Sequence, residues 1–405
     1  MGLISKLPRE VFSHKFDKPV RIHSSNGLGE RIKMPKQGLS DLRDKIAQVD
    51  KEILRLVQQR LNYAVEVGEL KRTMNLPVKD YKVEKAVWER NLKTASELGM
   101  YQELSKELSH LLVKYAVHIQ DENRNRSNLS AAKSGKKTLI IGGGGQMGQW
   151  FCQYFNSFGH TVKIWDPFAS STLSAINAYR ENGDLLGECL EQDLIILATP
   201  IGQTEEAISM IKASGTSALV FDVCSLKEPL ISSIYNARDQ GIKIGSIHPM
   251  FGPDAQMLAG RNLILCTFEE NDLVFDEILE LFQDTTAQIL RIPIEKHDEL
   301  MAVVLGSSHF VNLLFGQFLS QCGIPLSDLN KFASTTFRTQ LAVSEPVIHE
   351  NQNLYFDIQT LNKYSSNMLS RMRSEFDKLA HSIEHNEKSD FLDLMNQSRE
   401  FLDRK

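Results

Sequence analysis

Between residues 138 and 247, five short apolar runs alternate with stretches of helical patterning: TLIIG (138–142), TVKIW (161–165), DLIILAT (193–199), ALVFDV (218–223) and IKIGSI (242–247). Short apolar runs bounded by turn residues read as strands. Their alternation with helices predicts right-handed β-α-β units on a parallel sheet. A sheet of that kind presents its functional loops at the carboxyl ends of its strands. Candidate residues are therefore sought just after each run.

The first run leads into GGGGQMGQW, in which Gly143, Gly145 and Gly148 have G-x-G-x-x-G spacing between a strand and an amphipathic helix. Glycine is needed there because the turn is tight and the backbone must approach a pyrophosphate, whose charge sits on the free N–H groups at the helix start. Gln146 and Met147, inside the loop, and Pro200, after the third run, join the expected cofactor-binding set. Asp166 ends the second run. An acid at that position hydrogen-bonds the adenine ribose and repels a 2′-phosphate, which favours NAD over NADP, although Lys163 lies close by.

The sheet region is flanked by helical sequence. Leu42, Ile46, Val49, Ile53, Leu56, Leu61, Ala64, Val67 and Leu70 recur at steps of three and four, predicting one helix of about 35 residues with Ser40 as N-cap and Pro77 beyond its end. Two more helices are expected at about 80–97 and 101–121, followed by the polar linker DENRNRSNLSAAKSGKK. Beyond about residue 294 strand signals vanish and the pattern is helical. At 405 residues the chain calls for two or three domains. Its net charge of −5 gives no reason to expect nucleic acid or an anionic membrane as partner. No apolar run long enough to span a bilayer is expected, nor a secretory signal. The five scattered cysteines, none in a C-x-x-C pair, suit a cytoplasmic protein, and no metal site is expected.

Arg60 and Lys71 on the long helix are three turns apart, roughly 16 Å, and project from nearly the same side. They are suited to grip a small dianion between them. Arg43 lies about 25 Å from Arg60 and is turned roughly 100° away, so it joins such a site only from a second copy of the helix. The segment LSDLRDKIAQVDKEILRLVQQRLNYAVEVGELK resembles the all-helical chorismate mutases, over residues 39–121. The resemblance implies that Arg60, Lys71 and a partner's Arg43 hold the substrate carboxylates and ether oxygen. It places Asp80 and Glu84 near the substrate hydroxyl and Gln120 on the ether oxygen. Val83 and Ala116 depart from the family, which usually has arginine and serine there. A pericyclic rearrangement suits such a site, because it needs a compact conformer and fixed charges rather than an acid, base or nucleophile.

The motifs IIGGGGQMG, HPMFGPD (248–254) and EKHDELMAVVLGSSHF (295–310) extend the resemblance over residues 39–405 to the bifunctional chorismate mutase/prephenate dehydrogenases of tyrosine biosynthesis. The resemblance implies a multidomain chain. Residues 1–37 form an extension without assigned role, 38–121 an all-α chorismate mutase domain, 122–136 a linker, 137–293 a Rossmann-like α/β NAD domain, and 294–405 an all-α substrate and dimerisation domain. The implied partners are chorismate and prephenate, a second copy of the chain in a homodimer, and free tyrosine as a feedback ligand. His248 matches the catalytic histidine, suited to accept a proton from the ring alcohol. Ser225 matches a serine near that histidine and the cofactor, and His309 a histidine tied to substrate binding and tyrosine sensitivity. His297, beside Asp298, is left out of the catalytic set, with a structural role open to it.

One family residue is missing. Aligning LYFDI (354–358) puts Pro346 where the family carries a substrate-binding arginine. Losing such a charge-assisted contact costs about 1.5 to 3 kcal/mol, or tenfold to a hundredfold in binding. Arg338, about two turns earlier, is the candidate substitute. Two alternatives therefore stand beside prephenate oxidation: a dehydrogenase acting on arogenate or an amino analogue, and a regulatory module without catalysis.

Overall fold

A computed structural model describes residues 36–74, 80–124, 135–167, 179–181, 185–255, 258–270 and 272–404. The N-terminal extension to residue 35, Pro77 and most of the linker lie outside the described residues. Three helices come first: α1 (Lys36–Thr73), α2 (Tyr81–Glu97) and α3 (Gln102–Arg124). The long helix begins at Lys36, upstream of the expected Ser40 N-cap, so Ser40 lies inside the helix. The helical pattern is weak over that polar first turn, which hid the true start.

The sheet region runs β1 (Lys137–Ile141), α4 (Gln146–Ser157), β2 (Thr161–Trp165), β3 (Tyr179–Glu181), α5 (Leu185–Leu190), β4 (Leu194–Leu197), α6 (Ile201–Ser214), β5 (Leu219–Asp222), α7 (Glu228–Asp239), β6 (Ile244–Pro249), β7 (Asn262–Thr267), α8 (Leu273–Glu280) and β8 (Gln288–Pro293). The strands form one eight-stranded sheet in the order β3-β2-β1-β4-β5-β6-β7-β8. All pairs are parallel except β6 with β7, and the five expected strands are its centre. Alternate residues of each central strand feed two separate cores. Leu139, Ile141, Ile195 and Leu197 pack on one face, and Ile140, Ile164, Leu194 and Ile196 on the other. Burial on both faces is why these strands read as unbroken apolar runs.

The last region is helical, as expected: α9 (Ile294–Met301), a π-helical turn (Ala302–Ser307), α10 (Ser308–Gln321), α11 (Leu326–Lys331), α12 (Thr335–His349), α13 (Gln352–Thr360), α14 (Ser365–Glu384) and α15 (Lys388–Asp403). The expectation that no segment has membrane-spanning length is corrected here. Residues 294–321 form one continuous helical stretch long and apolar enough to cross a bilayer by length and composition, with little of it buried. Its first turn is nevertheless bonded into the sheet domain through His297 and Asp298.

The N-terminal helices dock on the sheet domain. Tyr81 is buried among Trp150, Tyr154 and Phe158. Lys82 pairs with Asp284 at 2.8 Å, and Lys85 Nζ donates to the Gln283 carbonyl at 2.9 Å.

Candidate active sites

The carboxyl edge of the sheet carries the second cluster of expected residues. The glycine loop follows β1, Asp166 follows β2, Pro200 follows β4, Ser225 follows β5, and His248 lies near the end of β6. A Cβ on Gly148 would fall 2.5 Å from the Gly142 carbonyl oxygen and 2.6 Å from the Gly143 Cα, so only glycine permits this approach of loop and helix. Gly145 caps α4 without any side-chain bond. The first N–H groups of that helix, at Gln146, Met147 and Gly148, precede its hydrogen-bonding ladder and point out of the turn. This backbone cradle fits the pyrophosphate of a dinucleotide. The Met147 side chain packs into the core instead. Asp166 Oδ2 accepts from Gly144 N at 2.9 Å, tying the acid to the loop it was expected to accompany. Lys163 pairs with Glu188 at 2.8 Å, which engages the nearby cation that weighed against NAD. Pro200 caps α6.

His248 is 3% exposed, and its Nδ1 lies 2.9 Å from Nε2 of His297. Burial, with His297 and the Lys227 ammonium close by, pushes the His248 pKa well below its ordinary value, so the ring is neutral near pH 7. Beneath it, the fully buried Lys227 donates to Asp222 Oδ1 at 2.7 Å and to the Ile247 carbonyl at 2.7 Å. That pair braces the ends of β5 and β6 immediately before His248. Ser225 sits half-buried in the loop between β5 and α7; among the described residues its hydroxyl makes no bond to His248. The adjacent Cys224 thiol is pushed up to about 12 by burial, which leaves it inert as a nucleophile.

His297 lies outside the catalytic set expected from the sequence, yet it belongs to the surroundings of His248. It is fully buried on α9 and bonded directly to His248. Its isolation in the sequence, 49 residues beyond His248, concealed the contact; the H-D dipeptide at a helix start was its only signal. His309 lies on α10 and stacks on Tyr355 at 4.3 Å between ring centroids. Its Nδ1 is buried without a hydrogen-bond partner among the described residues, and burial lowers its pKa. Pro346 lies inside α12, exposed. Arg338, in the first turn of the same helix, is exposed and donates to the Asn330 carbonyl at 3.2 Å.

In the N-terminal helices, α1 and α3 lie against one another, and Gln120 packs on Gly68, where a Cβ would stand 2.9 Å from the Gln120 Cγ. Gly68 lies between Arg60 and Lys71, so this close approach brings Gln120 to the segment carrying both cations. The Gln120 Oε1 is buried with no hydrogen-bond partner among the described residues. Arg60, half-buried, donates to the Leu112 carbonyl, and burial together with nearby Arg90 lowers its pKa. Arg90 was not anticipated from the sequence. Glu84 is buried on α2, while Asp80 caps that helix, its Oδ1 accepting from Val83 N at 3.1 Å. Arg43 is exposed at the far end of α1, apart from this group.

Three family models match successive segments of the chain: chorismate mutase type II over residues 42–121, the prephenate dehydrogenase nucleotide-binding domain over 156–291, and the prephenate dehydrogenase dimerization domain over 293–397. The T-protein of Enterobacter agglomerans is 26% identical over 90% of this chain and 93% of its own length. The chain belongs to the bifunctional chorismate mutase/prephenate dehydrogenase family. The T-protein of Haemophilus influenzae is 25% identical with the same coverage. In fold, the dehydrogenase half is similar to a prephenate dehydrogenase from Aquifex aeolicus crystallised with hydroxyphenyl propionate and NAD+, at a TM-score of 0.53 and 18% identity over 66% of this chain and 98% of that one. The mutase half is the α1–α3 bundle. The glycine loop precedes the segment matched by the nucleotide-binding family model.

Proposed function

We propose that the chain rearranges chorismate to prephenate on α1–α3 and then oxidises prephenate to 4-hydroxyphenylpyruvate with NAD at the carboxyl edge of the sheet. The observation that carries the second activity is a neutral, buried His248 on the same sheet edge as a glycine cradle fitted to a dinucleotide. Held by this cradle, NAD would supply the hydride acceptor for C4 of the substrate ring. The chain's own residues do the rest. His248 Nε2 accepts the proton of the C4 hydroxyl as the C–H bond breaks, which lets the oxygen lone pair form the carbonyl. The C1–carboxylate bond then breaks, its electron pair enters the ring, carbon dioxide leaves, and the oxygen recovers the proton as the ring becomes aromatic. Gln146, Met147 and Gly148 supply backbone N–H groups to the pyrophosphate and Asp166 supports the ribose side. Ser225 orients the reacting end.

In the mutase half, Arg60 and Lys71 hold the substrate dianion, the Gln120 side-chain NH2 donates to the ether oxygen, and Glu84 lies toward the hydroxyl. Arg43 completes a second copy's site. Dimerisation is supported by the exposed apolar stripe of Leu42, Ile46, Val49, Ile53 and Leu56 on α1, and by the exposed Val303, Val304, Val311, Leu314 and Phe318 of the C-terminal region. His309, stacked on Tyr355, is assigned to the substrate ring, and free tyrosine is the feedback ligand that competes there. The free thiols of all five cysteines suit a cytoplasmic setting.

The test is a single incubation of purified protein with chorismate and NAD. Formation of NADH, carbon dioxide and 4-hydroxyphenylpyruvate supports the assignment; chorismate loss without NADH contradicts its second half. Pro346 favours a second reading, in which the dehydrogenase prefers arogenate or an amino analogue. Parallel incubations with arogenate decide it by relative kcat/KM.

A further inference from the structure

We infer that His297 and Asp298 are positioning residues that set the tautomer of His248, so that its Nε2 is the bare, proton-accepting nitrogen. The inference rests on the reading of His248 as the proton acceptor. His297 Nδ1 lies 2.7 Å from Asp298 Oδ1, and His297 Nε2 lies 2.9 Å from His248 Nδ1. Asp298 anchors the chain. Its two oxygens accept from Lys227 N at 2.9 and 3.1 Å and from Glu228 N at 2.9 Å, at the N-terminus of α7. Against the cost of burial, His297 and these two backbone donors keep its pKa below the ordinary value, so it is a carboxylate.

An ionised carboxylate only accepts, and a neutral imidazole carries one N–H. The proton between Asp298 and His297 therefore belongs to His297 Nδ1, leaving Nε2 of that ring as an acceptor. The facing nitrogen, His248 Nδ1, must then carry the second proton. What remains on His248 is an unprotonated Nε2, and among the described residues nothing bonds it. The opposite order would leave two facing N–H groups or two facing lone pairs. A doubly protonated ring would place a second cation beside the buried Lys227 ammonium, whose charge already takes up Asp222 Oδ1, while the Asp298 oxygens also accept from Lys227 N and Glu228 N.

The arrangement has a consequence for catalysis. When His248 takes the substrate proton, its Nδ1–H stays donated to His297 and the new charge faces the Asp298 carboxylate through that ring. The pair also comes from the C-terminal domain: α9 carries both residues, and the Asp298 carbonyl accepts from Asn362 Nδ2 at 2.8 Å. The acceptor of one domain is thus oriented by the other.

Asp298→Asn in the full chain tests this. The amide oxygen still accepts from Lys227 N and Glu228 N, but its NH2 donates toward His297 Nδ1 and reverses the proton order. The expected result is a loss in dehydrogenase kcat on the order of 10²–10⁴, in line with the cost of a wrong tautomer in an Asp-His pair, with KM for prephenate little changed. Mutase turnover in the same preparation stays at the wild-type level. Histidine-selective 15N NMR, with the His248 signal assigned by its absence in His248→Asn, is expected to show Nε2 unprotonated in wild type and protonated in Asp298→Asn. His297→Gln, which offers a carbonyl acceptor to His248 Nδ1, retains more activity than His297→Leu. Wild-type kcat in Asp298→Asn, or a His248 tautomer unchanged by it, overturns the inference. A fully active His248→Asn overturns instead the assignment of His248 as acceptor, and the inference falls with it.

Discussion

The ring of Tyr81, at the start of α2, stands 5.0 Å from the ring of Tyr154 in α4, inside the aromatic core of the nucleotide domain. One turn of α2 thus carries Tyr81 into the nucleotide domain, while Asp80 caps the same helix and Glu84 is buried on it. Tyr81→Ala is expected to cost about 3–5 kcal/mol, the range for removing a large buried aromatic. The thermal midpoint falls, and KM for chorismate rises as α2 loses its seat. Calorimetry and mutase kinetics on the same variant check both.

Arg60 is a half-buried cation whose guanidinium donates to a backbone carbonyl, with no carboxylate bonded to it among the described residues. Arg60→Ala is expected to lower chorismate turnover by about 10²–10³, the effect of deleting one preorganised charge at a developing oxyanion. Dehydrogenase activity with added prephenate stays near wild type. Loss of both activities in a folded variant would contradict separate sites.

Gly148→Ala introduces a methyl group 2.5 Å from the Gly142 carbonyl oxygen, and backbone on both sides must move. The expected result is a rise in KM for NAD of about tenfold or more, about 1.4 kcal/mol per tenfold. The mutase reaction, which uses no nucleotide, is unaffected in steady-state assays.

These contrasts follow from how differently the regions were written in the sequence. The central strands were legible because both faces are buried. The three-residue β3 was not, since three residues show no period. β8 was missed for another reason: only Ile289 and Ile292 of its six residues are shielded. The glycine loop and His248 were visible because each follows a strand at the sheet edge. The contact of His248 with His297 was not, since it depends on how α9 returns over the sheet. Gly68 was equally silent: a helix-interior glycine reads as a weak point until α3 packs on it.

Pro346 interrupts α12 from within, removing one helical N–H. Pro346→Ala and Pro346→Arg should both stabilise the helix, by up to about 3 kcal/mol. Only the arginine variant is expected to lower KM for prephenate, by about tenfold or more. Equal kinetics for the two variants would show that no substrate carboxylate lies within reach of this position.

The central claim is that His248 performs the oxidation chemistry at the sheet edge. The direct measurement is NADH formation from prephenate and NAD by wild-type protein beside His248→Asn, with chorismate consumption followed in both. The predicted result is NADH from the wild type, a loss of at least about 10²-fold in the variant, the lower range for a general base, and equal mutase rates. Wild-type protein that consumes chorismate yet yields no NADH from prephenate, or a variant that oxidises prephenate as fast as wild type, would contradict it.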